Sequence, residues 1–575
     1  MIRKILKSVR EYKKESLLTP TFMLGEVLME TLIPLFMAML LDKGIETGNI
    51  NNVLLYGVIL VICALFSLQF GMMAGKMASK AANGFAKNLR HDLYYKVQDY
   101  SFRNIDKYST SSIITRLTTD VTNVQNSYQM CIRIAVRAPL MFLFSLIMAF
   151  TINKQISLVF LIVVPVLFAL LILIAKIAHP YFEKVFKTYD EINNVVKENV
   201  GGIRVVKSYV REDHEIKKFN KVSERIYKLF SKAEKLVAMN GALMDIAIYF
   251  SIVFIAYFGA RSIVVGNMTT GELTSLFSYS MGILASLMML SMIYVMIIIS
   301  LPSMKRVVEL LDEESDIYSP KNAIKEVKDG SIIFKEVNFS YVKNLKKTNL
   351  KNLNFDIKSG ETIGIIGGTG SGKSSLVNLI PRLYDTTSGS VIVAGNDVKN
   401  YDLETLRNEV AMVLQKNVLF SGTIEDNLKW GNEKATKKEM IEALKLAEAY
   451  DFVQSFPGGL NYKIEQGATN VSGGQKQRLC IARALLKNPK IIIFDDSTSA
   501  CDTLTDAKIR KNLKNFMPNV TKLIIAQRIS SVEDADRVMV LDNGKLVDFD
   551  TPKKLLKTSK IYKEINDSQK KGGPK

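Results

Sequence analysis

Histidine is almost missing from this chain: its 575 residues include three, His91, His179 and His214, and none follows His214. Any role that needs an imidazole therefore has no candidate in the C-terminal part. Cysteine is nearly as scarce. Cys63, Cys131, Cys480 and Cys501 form no C-x-x-C pair and no zinc spacing. Two lie in apolar runs and two in a segment that reads as cytosolic and reducing, so they read as filler rather than as a disulfide frame. A cleavable signal is lacking too: Met1–Lys14 is basic, but the apolar run behind it is long and has no small-residue cleavage site. Acid is in deficit, leaving a net charge of +20. The excess base sits beside apolar runs, the pattern of a membrane protein, so a lipid bilayer is the expected partner and nucleic acid is not.

The chain is too long for one domain, and its apolar residues concentrate before about Ser300. A membrane helix needs about 20 mostly apolar residues. Six segments qualify: Leu17–Leu41, Val53–Ala74, Cys131–Ile152, Ile156–Ala178, Val237–Gly259 and Leu273–Ser300. Pro34, Pro139 and Pro165 interrupt three of them, as neighbouring helices permit. Lys and Arg number six in Met1–Ser16, eight in Gly75–Met130 and thirteen in His179–Met239. The intervening loops hold only Lys43, Lys154 and Arg261. The basic set is expected to face the cytoplasm, giving a multi-pass protein of the cell membrane with both termini inside. Residues 1–16 alternate Ile2, Ile5, Leu6 and Val9 with bases and are expected to form an interfacial helix. The membrane domain is expected at 17–300, a linker at 301–329 and a soluble α/β domain at 330–575.

The long basic loops are helical in pattern, so the spans are expected to continue into the cytoplasm as hairpins. Their tips, near 104–120 and 198–207, are rich in Asp, Asn and Gly, which suit polar turns. Arg133, Arg137 and Asp245 lie within apolar spans, where charge is costly. Either they face a cavity, or the arginines sit near an interface or pair with Asp245. Met281, Met288, Met289, Met292 and Met296 on the sixth span suit adaptable apolar binding, or plain packing.

After a buried-strand pattern, Thr362–Ile366, comes Gly367-Gly368-Thr369-Gly370-Ser371-Gly372-Lys373-Ser374-Ser375. This contains the full G-x-x-x-x-G-K-[ST] phosphate loop. Its glycines let backbone N–H groups wrap phosphates, and the following helix offers its positive end. Lys373 is expected to reach the β and γ phosphates of ATP, and Ser374 to hold Mg²⁺. Ile491–Asp495 is a second buried strand, with an acid at its carboxyl end where a metal ion would sit.

Between these lies Val471-Ser472-Gly473-Gly474-Gln475-Lys476-Gln477-Arg478, which resembles the signature of ABC proteins. The loop regions near 104–120 and 198–207 resemble the coupling helices of ABC exporters. The resemblance spans the whole chain in the order of bacterial half-exporters. It implies a membrane all-α domain, six transmembrane helices extended into the cytoplasm, followed by an α/β P-loop NTPase domain of ABC type. It also implies that Tyr341 stacks on adenine, that Gln415 contacts Mg²⁺ with Ser374 and Asp495, that Ser472–Gln475 meets a phosphate on the other subunit, and that Ser499–Asp502 forms the D-loop.

Two positions depart from the family. Where it carries a catalytic glutamate after the strand acid, this chain has Asp496; where it carries a switch histidine, this chain has Gln527. Aspartate is one methylene shorter, and glutamine cannot carry a proton. The expectation is an ATP-driven exporter of a hydrophobic or amphipathic substrate, with a degenerate, slowly hydrolysing site of its own. Its signature would serve the competent site of a non-identical half carrying Glu and His. A slow homodimer and an ATP-gated channel or regulatory receptor are the alternatives.

Overall fold

The structure is a computed structural model that describes residues 1–342, 348–497 and 501–571, the side chains of 186, 570 and 571 excepted. It divides into two compact units, Met1–Gln98 with Ser109–Glu313, and Asp99–Tyr108 with Glu314–Lys575.

The first unit holds six long helices: α1 (Lys13–Leu40), α2 (Ile50–Gln98), α3 (Val121–Ile152), α4 (Lys154–Gly201), α5 (Glu212–Val264) and α6 (Thr270–Asp312). Each lies in a helical stretch long and apolar enough to cross a membrane. At 1.5 Å per residue, a helix the length of α2 is about 74 Å long, over twice a ~30 Å hydrocarbon core. The helices therefore continue well beyond any bilayer, and α6 runs past Ser300 to Asp312, where Val307 and Leu310 are still buried. The backbone around Pro34 in α1 is satisfied from α6. Tyr279 Oη donates to Thr31 O at 2.8 Å and Ser275 Oγ to Pro34 O at 2.6 Å. This is the neighbour support that lets proline stand in a membrane helix. Residues 1–16 do not form one helix. A turn of α-helix at Ile2–Ile5 passes into a 3₁₀ stretch at Leu6–Tyr12 that breaks at Arg10. Ser8 and Arg10 bond to Asp92, and Asn88 to the Ser8 carbonyl, so polar contacts to α2 seat this stretch.

The second unit contains two main sheets. Strands β1 (Ile332–Phe339), β2 (Leu350–Ile357) and β4 (Ser388–Val393) form an antiparallel sheet in the order β2-β1-β4, extended by Asn396–Asp397. The other sheet has the order β9-β8-β3-β7-β6-β5, from β3 (Thr362–Gly367), β5 (Val410–Val413), β6 (Ile491–Asp495), β7 (Thr521–Ile525), β8 (Arg537–Asp542) and β9 (Lys545–Asp550). All but the β8–β9 pair are parallel. A parallel strand covered on both faces reads as a continuous apolar run, which is why Ile491–Phe494 has no polar alternation. Ile491 and Ile493 enter one core, Ile492 and Phe494 the other. Helices α7 (Lys373–Asn378), α8 (Gly473–Leu485), α9 (Thr503–Phe516) and α10 (Lys560–Lys571) belong to this unit. So does the short helix Phe102–Lys107, capped at Ser101 and bonded through Asn104 Nδ2 to the Glu314 carbonyl at 3.0 Å.

Candidate active site

The site is built at the carboxyl ends of three adjacent strands. Ile525 of β7 stands level with Ile365 of β3 on one side and Asp495 of β6 on the other. Whatever follows these strands converges: the phosphate loop after β3, Asp495 and Asp496 at the end of β6, and Gln527 after β7. Open parallel sheets bind ligands at this edge.

The loop leaves β3 at Gly367 and enters α7 at Lys373. Gly370 and Gly372 take φ of +82° and +98°, which only glycine adopts without strain. An added Cβ would meet nothing within 4 Å at Gly368 or Gly370, so the loop presents an open backbone cradle. At Gly372 it would lie 2.7 Å from Leu350, so that side is closed by β2. Lys373 Nζ lies over this cradle and donates to Gly367 O at 2.8 Å and Gly368 O at 2.9 Å. Burial lowers its pKa, while Asp496 and Asp495 act the other way. Ser374 Oγ donates to Asp495 Oδ1 at 2.8 Å. Burial pushes Asp495 above the usual carboxylate range despite that bond, and Asp496 adds to the shift. A divalent cation between Ser374 and Asp495 would relieve this repulsion. Ser371 Oγ is buried with no hydrogen-bond partner among the described residues. Open backbone, a poised ammonium and an adjacent hydroxyl–carboxylate pair fit a nucleoside triphosphate with Mg²⁺.

Asp496 has φ of +50°, left-handed for a non-glycine residue, a conformation that costs on the order of 1–2 kcal/mol. Its N–H donates to Ile525 O at 3.1 Å. Its Oδ2 accepts from Gln527 Nε2 at 2.7 Å. The two residues expected to depart from the pattern, Asp496 and Gln527, therefore bond to each other.

Tyr341, two residues past β1, places its Oη 3.0 Å from Ser375 Oγ. Its ring meets Tyr384 edge to face at 5.0 Å. Gln415 is exposed on the loop after β5. Ser472 caps α8 through a capping box with Gln475, Ser472 N donating to Gln475 Oε1 at 2.9 Å and Gln475 N to Ser472 Oγ at 3.3 Å. Gly473 and Gly474 form the helix's first turn. This leaves a polar helix start whose bonds are internal. Asp502 caps α9, accepting from Thr505 N at 2.9 Å and Thr505 Oγ1 at 2.7 Å, and these bonds lower its pKa. Ser499 and Ala500 of the expected D-loop lie outside the described residues.

Three features escaped the sequence reading. Tyr384 Oη donates to Asp106 Oδ2 at 2.6 Å, tying the Phe102–Lys107 helix to the ring beside Tyr341. Gln569 of α10 reaches the loop after β7. In the membrane unit, Arg137 does not pair with Asp245, which is exposed on α5. Its NH1 bonds Glu26 Oε1 and its NH2 bonds Glu30 Oε2 at 2.8 Å, both on α1. Gly71 and Gly75 of α2 face charges on α1 and α3: an added Cβ at Gly71 would lie 3.1 Å from Glu26 Oε2, and one at Gly75 would lie 3.9 Å from the Arg133 guanidinium. Glutamates on α1, glycines on α2 and arginines on α3 thus each recur at four-residue spacing, one helical turn. The signal available was the pair of acids within the first apolar span.

Residues 18–288 match the ABC transporter transmembrane region family, and residues 350–499 the ABC transporter family. An uncharacterised ABC transporter ATP-binding protein of Bacillus subtilis is 33% identical over 99% of this chain and 98% of its own length. A second, from Mycobacterium tuberculosis, is 32% identical over 98% of this chain and 97% of its own. Among solved structures, a bacterial Atm1-family ABC exporter with ATP bound superposes with a TM-score of 0.83 at 21% identity, covering 98% of this chain and 99% of that one.

Proposed function

The chain belongs to the ABC transporter family, a multi-pass membrane protein with an exporter-type fold and an ABC ATPase domain, and from that premise we propose that it is the slow half of a heterodimeric exporter. In this reading ATP and Mg²⁺ bind at Lys373, Ser374 and Asp495, with Tyr341 against the adenine and Gln415 at the metal. Bound Mg²⁺ supplies charge neutralisation at the phosphates. The chain holds ATP at its own site and hydrolyses it poorly. Ser472–Gln475 completes the competent site of a non-identical half, and the cargo is a hydrophobic or amphipathic molecule moved out of the cytoplasm.

One observation supports the slow site above others: the 2.7 Å bond from Gln527 Nε2 to Asp496 Oδ2. A general base must face its water with a free lone pair. Here the side chain is a methylene short of the family's glutamate, and one of its oxygens is held by the amide that replaces the family's histidine. A displacement of about 1 Å at such a group can cost roughly 100-fold in rate. Every binding element is retained, so affinity and turnover separate. In a homodimer both sites would combine Asp496 and Gln527, and the signature would serve no fast site.

The test is to purify the chain alone and with a non-identical half encoded beside it. The expected result is a stable pair in which a substitution at Ser472 abolishes most ATP turnover while Asp496→Ala spares most of it. Asp496→Glu and Gln527→His should each leave this chain's site slow, and the double variant should raise turnover more than the product of the singles, because the two act as a unit. A homodimer with full substrate-stimulated ATPase activity, unchanged by the second half, would sink the reading.

A further inference from the structure

We infer that Gln569 is a positioning residue for the switch loop: its side-chain amide pins the backbone on both sides of Arg528 and thereby sets where Gln527 aims its own amide. The inference rests on the reading that Gln527 faces the terminal phosphate.

The need for such a pin follows from the local chain. Strand β7 ends at Ile525, and the last link to the sheet is Ala526 N to Ile365 O at 3.3 Å. A 3₁₀ turn begins only at Ile529. Gln527 and Arg528, both exposed, bridge the gap. Gln569 closes on it with two hydrogen bonds: Ile529 N donates to Gln569 Oε1 at 2.9 Å, and Gln569 Nε2 donates to Gln527 O at 2.7 Å. The amide thus takes the place of a neighbouring strand. Its two ends meet complementary groups, so reversing the amide would set donor against donor and acceptor against acceptor. Two such bonds, each able to bias a local equilibrium by roughly twofold to tenfold, hold the loop in one position.

The pin has a rigid mounting. Ser559, buried, accepts from Tyr562 N at 3.3 Å at the start of α10. Tyr562 is 1% exposed, and Ile561 and Ile565 pack on the core that contains Ile529 and Val532. Tyr562, Ile565 and Gln569 fall at i, i+3 and i+7, on one helical face. Only the last of the three is exposed, so removing its amide leaves the core intact. From the core, the path runs through α10 to Gln569 and to the Gln527 backbone, so losing the pin lets the Gln527 amide stray from the terminal phosphate as well as from Asp496, and the lost phosphate contact decides the rate.

The experiment uses the full chain in lipid nanodiscs with its partner half. Single-turnover hydrolysis and ATP affinity are measured at this chain's site for wild type, Gln569→Ala, Gln569→Glu, Gln527→Ala and the Gln569→Ala/Gln527→Ala double. Gln569→Ala is expected to lower the rate about threefold to tenfold, with ATP affinity within about twofold and an unchanged unfolding temperature. Gln569→Glu keeps the acceptor for Ile529 N–H but turns a carboxylate oxygen toward the Gln527 carbonyl, so it should be at least as slow. In the Gln527→Ala background the loss of Gln569 should have no further effect. A Gln569→Ala rate equal to wild type, the same factor lost in both backgrounds, or a rate loss that tracks a lower unfolding temperature would each overturn the proposal. If Gln527→Ala alone leaves the rate unchanged, the switch reading itself fails, which the other arms would not report.

Discussion

Tyr384 and Asp106 are 278 residues apart in sequence and share a 2.6 Å hydrogen bond, Oη to Oδ2. Phe102 meets the same ring at 6.0 Å, and Tyr341 meets it edge to face at 5.0 Å. Burial, then the Asp106 carboxylate, push the Tyr384 phenol above the usual tyrosine range, so it stays protonated and donating. The aromatic expected to stack on the base and the short helix Phe102–Lys107 are thus joined through one side chain.

Tyr384→Phe keeps the ring and loses the bond. It should cost about 1 kcal/mol at that contact and leave ATP affinity within about twofold. Substrate-stimulated ATPase activity should fall severalfold. Tyr384→Ala also removes the ring beside Tyr341 and should weaken ATP binding as well. Nucleotide titration and ATPase assays in vesicles, with and without substrate, separate the two. Equal behaviour of both variants would refute the division of labour.

Lys373→Ala removes the ammonium over the Gly367 and Gly368 carbonyls. A hydrogen bond to a charged group is worth roughly 1.5–3 kcal/mol, so ATP affinity at this site should drop about tenfold to a hundredfold. Equilibrium binding of a fluorescent ATP analogue reads it directly; an unchanged affinity would remove Lys373 from the site.

Arg137→Ala leaves Glu26 and Glu30 without their cation. Breaking a buried pair by removing one partner costs about 3–5 kcal/mol, because a charge is left stranded. The unfolding temperature in detergent should fall by several degrees. Glu26→Gln in the same chain should recover a large part of the loss. If Glu26→Gln deepens it instead, the two side chains do not act as a pair.

Glu361 fixes the strand that carries the phosphate loop. Burial pushes its carboxyl up, but bonds from Arg537 Nε at 2.9 Å and NH2 at 2.6 Å, with one from Lys358 N, more than reverse this and hold it below the usual range. The folded pKa is thus lower than the unfolded one. The stability this contributes is present above the unfolded carboxylate range and is lost as pH falls through the folded value. Glu361→Gln should lower the unfolding free energy at pH 7 by about 1–2 kcal/mol, and the gap to wild type should close as pH drops below about 4. A gap that stays constant with pH would show that packing alone is responsible.

What could be read in advance follows from the range of each signal. Thr362–Ser374 announces itself because a strand, a glycine loop and a lysine must be contiguous to hold phosphate. Six apolar runs announce themselves because each must cross lipid alone. Gln569 and Tyr384 left no comparable trace, and Glu26 showed only as an acid in an apolar run, with nothing to name its partner. Each acts on a partner 42, 278 or 111 residues away, and no periodicity encodes such a pairing. Arg137 was visible as a charge out of place, yet its spacing could not choose between Asp245 and an acid on another helix. The end of α6 was hidden for another reason: its apolar run stops near Ser300 while the helix continues with one buried stripe.

The bond between Arg137 and Glu26 spans 111 residues, and this bears on how the chain is made. At ~5–20 residues per second, a ribosome needs roughly 5–20 s to go from the first of these codons to the second. During that interval the first apolar run, Leu17–Leu41, holds two acids, Glu26 and Glu30, and no base to answer them. Lipid disfavours those acids until a cation reaches them. That cation is Arg137 on α3, so α1 and α3 reach their final contacts together, with one arginine closing the set.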